Sequence, residues 1–292
     1  MVADRSYSET ATVARAALAT VEATPGVKKP DSILSADGVR RHFGGIVAVD
    51  INHLEVQRGS ITALIGPNGA GKTTLFNLLS GFDTPDTGEW RFDGHNMSRV
   101  ASHKTASMGM VRTFQLTKSL TKMSVIENMK LGAMHQVGEK WWNGLLPYLW
   151  RSQEIKIEVR ADALLKRFKM DHMRNEYAGT LSGGQRKLLE MARALMTEPR
   201  LVMLDEPMAG VNPALKQSLN EHIRGLRDDG MTVLFVEHDM DMVNDVADWV
   251  IVMAEGSIIA EGTPNQISSN EKVVEAYLGR HQGTSLLDEA AQ

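Results

Sequence analysis

The sequence has no cysteine, which excludes disulfides, thiolate zinc sites and cysteine nucleophiles. It has no basic surplus either: net charge is −4 and the pI is near 6.2. Nothing in that balance points to nucleic acid as the main partner. No apolar stretch reaches the ~20 residues of a membrane-spanning helix. The N-terminus has no cationic start followed by an apolar core, so no secretory signal is expected. Internal repeats are lacking, and so are low-complexity tracts beyond the first thirty or so residues. What is present is bulk. The chain has 292 residues, 42% of them hydrophobic, enough for one large domain or two modest ones.

Residues 66–74 are Gly66, Pro67, Asn68, Gly69, Ala70, Gly71, Lys72, Thr73 and Thr74. They fit the pattern G-x-x-x-x-G-K-[ST], with the apolar run Ile61–Ile65 before it and Leu75–Leu79 after it. That is strand, tight loop, helix, the context this motif needs. Such a loop turns backbone N–H groups toward a phosphate chain and sets that chain at a helix N-terminus. Lys72 adds positive charge for the β- and γ-phosphates, and Thr73 offers a hydroxyl to Mg²⁺. Gly66, Gly69 and Gly71 let the backbone approach where a Cβ would collide. An ordinary Gly-rich turn is the alternative, but four fixed positions and both flanks agree on a nucleoside triphosphate. A soluble protein, in the cytosol or on the ATP-containing side of a membrane, is expected.

Residues 1–32 are rich in Ala, Thr and Ser and are expected to form a flexible or loosely docked tail, with a short helix possible over 13–23. β-like patterns follow at Ile33–Phe43, Val47–Val56 and Ile61–Ile65. Thr87–Gly94 alternates and ends in Asp-Gly, a hairpin signal. Met110–Phe114 predicts another short strand. Ser124 with Glu127 is a capping box ahead of a helix through about Met134. Helical spacing recurs over Gln153–Phe168 and Leu188–Met196. The stretch from about 117 to 195 therefore reads as a helical insertion. The continuous apolar runs Leu201–Leu204 and Thr232–Val236 predict buried parallel strands flanking a helix from Pro213. A hairpin is expected around Glu255-Gly256. Residues after Gly279 are polar, and 281–292 are expected to be a mobile tail.

Leu201–Leu204 is followed by Asp205 and Glu206. The buried run leaves Asp205 at a strand's C-terminal end, where open α/β sheets place ligands. Asp205 is the candidate Mg²⁺ carboxylate. Glu206 is the candidate general base that polarises the attacking water. Leu181 precedes Ser182, Gly183, Gly184 and Gln185, which open a helix at about Gln185 and create a second anion-binding helix N-terminus. One ATP has only one γ-phosphate, so a second such site suggests two copies face to face, each closing the other's ATP.

The order of phosphate loop, glutamine, Leu-Ser-Gly-Gly-Gln, Leu-Val-Met-Leu-Asp-Glu and a strand-end histidine resembles the ATP-binding cassette (ABC) ATPases, over about residues 33–280. The resemblance implies an α/β nucleotide-binding domain: a RecA-like phosphate-loop core, an antiparallel β-subdomain and an α-helical signature subdomain at about 117–195. It implies ATP and Mg²⁺ as cofactors. It implies that Gln115 senses Mg²⁺ and the membrane partner, that His238 contacts the γ-phosphate, and that Phe43 stacks on adenine. Ser182–Gln185 would close on the partner's nucleotide. Ala209-Gly210-Val211-Asn212 falls where many members carry Ser-Ala-Leu-Asp.

The opening Arg41–Val49, Arg112–Gln115, Met208–Pro213, Glu237–Met240 and Ala276–Gly279 further resemble the ATPases of branched-chain amino acid importers. That subfamily implies two membrane permease subunits, a second ATPase (the same chain or a related one), an extracytoplasmic solute-binding protein, and a peripheral place on the cytoplasmic face of the inner membrane. An exporter ATPase of the lipopolysaccharide type and a soluble non-transport cassette are the alternatives. Trp141–Trp150 holds three of the five tryptophans. It either faces the permease or lipid surface or packs the helical insertion's own core.

Overall fold

The computed structural model describes residues 3–113, 120–134 and 147–277. The chain divides into two compact units, one running up to Thr105 and resuming at Ile223, the other spanning Ala106–His222.

The first unit opens with helix α1, Ala3–Leu18. It lies earlier than the short helix expected over 13–23, because Ala11, Ala14 and Leu18 share one buried seam at helical spacing. The segment after it is anchored by a buried network. Lys29 Nζ pairs with Glu261 Oε2 at 2.8 Å and lies 4.6 Å above the Trp249 ring. Trp249 Nε1 and the Gly26 N–H also donate to Glu261, at 3.1 and 2.8 Å.

Strands β1 (Ser32–Phe43) and β2 (Ile46–Gln57) form a long antiparallel pair that turns between Phe43 and Ile46. Strand β3 (Ile61–Ile65) is buried at every residue and leads through the glycine loop into α2 (Lys72–Leu79). Strands β4 (Thr87–Phe92) and β5 (His95–Asn96) complete a sheet in the order β2-β1-β4-β5. Asp93 and Gly94 both have positive φ, 49° and 78°, as the Asp-Gly hairpin signal requires. Helix α3 (Ser102–Ser107) leads out of this unit.

In the second unit β6 (Met110–Arg112) runs parallel to β7 (Leu201–Asp205). Between them come α4 (Val125–Lys130), α5 (Pro147–Arg167) and α6 (Gly183–Leu195), and α7 (Pro213–Asp228) follows. The Ser124–Glu127 capping box is present. α4 ends at Lys130 rather than about Met134, where Gly132 passes so close to α6 that a Cβ would lie 2.5 Å from the Arg193 carbonyl oxygen. α5 starts at Pro147, ahead of the expected Gln153, since proline suits a first helical position. α6 starts at Gly183 rather than Gln185, because Ser182 takes the N-cap and Gln185 closes its capping box. Buried Asn128 binds the carbonyls of Leu120, Met123 and Ser124 and so ties down the loop before α4.

Back in the first unit, β8 (Thr232–Val236), α8 (Met240–Val246), β9 (Trp249–Ala254), β10 (Ser257–Gly262) and α9 (Pro264–Ser268) complete the fold. Their sheet order is β10-β9-β3-β8, with β3 parallel to both neighbours. β9 and β10 form the expected hairpin around Glu255 and Gly256. Among the described residues, no helix is long and apolar enough to cross a membrane. The C-terminal stretch 281–292 lies outside the described residues, as does Trp141–Leu146. Of the rest of the tryptophan patch, only the backbone from Pro147 on is described.

Candidate functional site

In the first unit the glycine loop follows β3. Gly66 has φ +148°, and a Cβ there would lie 2.1 Å from the Met253 carbonyl oxygen. Gly71 has φ +96°, and a Cβ would lie 2.2 Å from the Ala48 carbonyl oxygen. Neither position accepts a side chain without moving backbone. The Gly256 N–H donates to the Ala70 carbonyl at 3.0 Å, which ties the loop to the β9–β10 turn. Gly71 is the N-cap of α2 and brings no capping side chain, so the first turn keeps the N–H donors that attract an anion. Thr73 and Thr74 lie in that turn. Lys72 Nζ folds back to donate to the Gly66 and Pro67 carbonyls, at 2.6 and 3.0 Å. Its ammonium therefore lies against the start of the loop.

His238 leaves β8, which pairs with β3 so that Leu64 lies opposite Val236. The histidine thus emerges at the same sheet end as the glycine loop. Its side chain is 65% exposed, with Nδ1 3.9 Å from an oxygen of the buried Glu237. Asp239 caps α8 through the Met242 N–H at 3.2 Å, so the backbone around His238 is fixed while its ring faces solvent.

Phe43 ends β1 with its ring half exposed. The Arg41 guanidinium lies 4.9 Å above that ring and is held by Asp83 at 2.9 Å and Asp86 at 2.7 Å. Asp86 also accepts the His42 N–H at 2.7 Å. One cation–π contact and two carboxylates thus set the ring's orientation. The buried Tyr277 hydroxyl approaches the Gly66 N–H without reaching hydrogen-bond geometry, and burial pushes its phenol above the usual tyrosine range.

The second unit carries the carboxylates. Asp205 closes the buried strand β7, and the Arg112 guanidinium donates to its Oδ2 at 2.7 Å; each side chain is 8% exposed. Glu206 has φ 45°, a left-handed backbone that a non-glycine residue adopts at a cost. Lys187 of α6 pins the turn that follows: its Nζ donates to the carbonyls of Glu206 at 3.5 Å, Pro207 at 3.1 Å and Ala209. Asn212 accepts the Leu215 N–H at 2.9 Å, so its amide oxygen caps α7 as an aspartate would. A small cavity of about 20 Å³, room for one water, is lined by Thr113, Lys187, Glu190, Asp205 and Glu206, with apolar neighbours. Ser182, Gly183, Gly184 and Gln185 form the exposed to half-exposed N-terminus of α6.

The phosphate loop, Phe43 and His238 therefore share one unit, and Asp205, Glu206 and Ser182–Gln185 share the other. Gln115 lies outside the described residues. Sequence reasoning missed Arg41, Arg112, Lys187 and Tyr277 as contributors. Arg41, Arg112 and Tyr277 sit inside stretches already singled out, but a motif does not say which carboxylate, ring or carbonyl a side chain will reach.

The ABC transporter family pattern matches residues 49–209. That of the branched-chain amino acid ATP-binding cassette transporters matches 257–282. A probable branched-chain amino acid transport ATP-binding protein LivG of Archaeoglobus fulgidus is 42% identical over 247 residues, covering 85% of this chain and 95% of the relative. The high-affinity branched-chain amino acid transport ATP-binding protein BraF of Pseudomonas aeruginosa is 40% identical over 250 residues, covering 85% and 98%. Among solved structures, the ADP conformation of an ATP-binding cassette from an ABC transporter superposes with TM-score 0.74 at 38% identity, over 85% of this chain and 99% of that one.

Proposed function

The chain belongs to the ABC transporter family of ATP-hydrolysing cassettes, and on that premise we propose that it powers the uptake of branched-chain amino acids or similar small polar solutes through partner permeases. The observation that carries this reading is similarity along nearly the whole cassette to branched-chain amino acid transport ATP-binding proteins, at 40–42% identity. The match of the C-terminal segment 257–282 to the same branch supports it independently of the catalytic motifs.

In the proposed mechanism the loop Gly66–Thr74 cradles the phosphates, and Lys72 swings from its carbonyl partners onto the β- and γ-phosphates. Phe43 stacks on adenine, with Arg41 holding its ring. Asp205, Thr73 and Gln115 supply oxygen donors, the ligand chemistry of a hard ion such as Mg²⁺. A buried carboxylate already paired with a cation fits that assignment. Among the described residues no group of three or more His, Asp and Glu forms a metal cage, and Mg²⁺ in phosphate sites needs only one or two carboxylates. When bound, the ion neutralises charge on the phosphates. Glu206 takes the proton of the attacking water, and His238 donates to the γ-phosphate. Ser182–Gln185 closes on the nucleotide of a second cassette, the same chain or a related one. ATP closes the pair and hydrolysis reopens it, which drives the permeases. The protein then works as a peripheral subunit on the cytoplasmic face of the inner membrane, with a solute-binding protein outside.

Phe43→Ala should weaken ATP binding about 5- to 150-fold, since base–aromatic stacking contributes roughly 1–3 kcal/mol. Titration with a fluorescent ATP analogue checks this, and native affinity in the variant would remove Phe43 from the site. The transport reading is tested by gentle co-purification of the tagged chain from its host's membranes. Two multi-spanning permeases and a second cassette protein are expected. Recovery of export-type membrane proteins, or of ribosomes alone, would leave the ATPase chemistry standing and overturn the importer.

A further inference from the structure

We propose that Arg112 sets the metal affinity of this site: its guanidinium forms with Asp205 an ion pair that an incoming divalent cation must displace. The proposal rests on the reading of Asp205 as the metal carboxylate.

Both partners are buried, each 8% exposed, and they meet at 2.7 Å. A carboxylate at that depth is costly unless a positive charge faces it. In the metal-free protein Arg112 supplies the charge. Its position is fixed by backbone rather than chance. Arg112 ends β6, lies opposite Met203 of β7, and is followed by the Thr113 N–H donating to the Met203 carbonyl at 2.9 Å. From there the side chain reaches Asp205, two residues further along the same neighbouring strand. A divalent ion on that carboxylate would lie within a few ångströms of the guanidinium, and like charges so close in a poorly solvated place repel strongly. The cations therefore compete for one carboxylate.

The consequence is a linkage with a definite sign. The free energy of the Arg112–Asp205 pair is subtracted from metal binding, and metal binding is what makes the pair dispensable. Removing the guanidinium should make the metal-free protein less stable and the metal tighter. A purely structural arginine would lower stability equally with and without metal. A residue that only orients the carboxylate would weaken the metal when lost.

The test uses the full chain with a non-hydrolysable ATP analogue and Mn²⁺ as a paramagnetic probe, read by electron paramagnetic resonance. Native protein, Arg112→Gln, Arg112→Lys and Asp205→Asn are compared. Arg112→Gln should bind Mn²⁺ about tenfold tighter, within the usual range of coupling between linked sites, and Arg112→Lys should fall between it and the native chain. The melting temperature of Arg112→Gln should lie below native without metal, and the gap should narrow with Mg²⁺ and the analogue. Unchanged or weaker Mn²⁺ binding in both arginine variants, with the same melting deficit in both states, overturns the proposal. Equal Mn²⁺ binding by native protein and Asp205→Asn instead overturns the assignment of Asp205, and the proposal falls with it. The lysine variant keeps a cation at the site, so the experiment survives if the glutamine variant does not fold.

Discussion

Glu206→Gln should keep ATP binding and lose turnover by about 10²- to 10⁴-fold, the range attributed to a positioned general base. The substitution keeps the size of the side chain and removes only its capacity to take a proton. The surroundings favour a clean result. Glu206 stands in a left-handed backbone at φ 45°, and Lys187 holds the carbonyls of residues 206, 207 and 209 from α6. Those bonds run through backbone carbonyls and an amide matches a carboxylate in size, so the amide should occupy the same place. ATP should therefore bind with near-native affinity and hold two cassettes together, visible as a dimer by size-exclusion chromatography with ATP and Mg²⁺. Undiminished hydrolysis would remove Glu206 from the base's role. A loss of ATP binding together with turnover would mean that the carboxylate acts in the ground state.

Glu261→Ala should destabilise the protein by about 3–5 kcal/mol, the usual cost of removing one partner of a buried ion pair. Three donors converge on this carboxylate: Lys29 Nζ, Trp249 Nε1 and the Gly26 N–H. The pair is sealed, with side-chain exposures of 1% for Lys29 and 0% for Glu261. Truncation strands a buried ammonium over the Trp249 ring and an indole N–H with no acceptor. Thermal unfolding should shift down by several degrees or more, at about 2–4 °C per kcal/mol for a chain approaching this size. The double variant Lys29→Met, Glu261→Leu should recover much of the loss, because an apolar pair of similar volume carries no desolvation penalty. A Glu261→Ala protein that melts with the native one would mean that water or another acceptor already serves the Lys29 ammonium and the indole N–H.

The chemistry of the cassette was legible in the sequence because phosphate binding constrains backbone as well as side chains. Gly66 and Gly71 are glycine for want of room beside Met253 and Ala48, and that need shows as a fixed spacing. The buried strands were legible for a similar reason, since β3, β7 and β8 are covered on both faces and read as unbroken apolar runs. Helix ends were less legible. α4, α5 and α6 start or stop where Gly132, Pro147 and Ser182 allow, positions that periodicity alone does not weigh. The early placement of α1 turns on Ala11 and Ala14, whose small side chains give a weak apolar signal. Long-range ion pairs were not legible at all. Lys29 with Glu261, Arg112 with Asp205 and Arg41 with Asp83 and Asp86 join residues whose nearness only the folded chain defines.

Uptake of labelled leucine, isoleucine and valine by source cells lacking this chain, complemented with the native sequence or with Glu206→Gln, measures the central claim most directly. Uptake should fall on deletion, return with the native chain and stay low with Glu206→Gln. Uptake that is indifferent to the deletion, or that the Glu206→Gln chain restores in full, would contradict an ATPase that drives import.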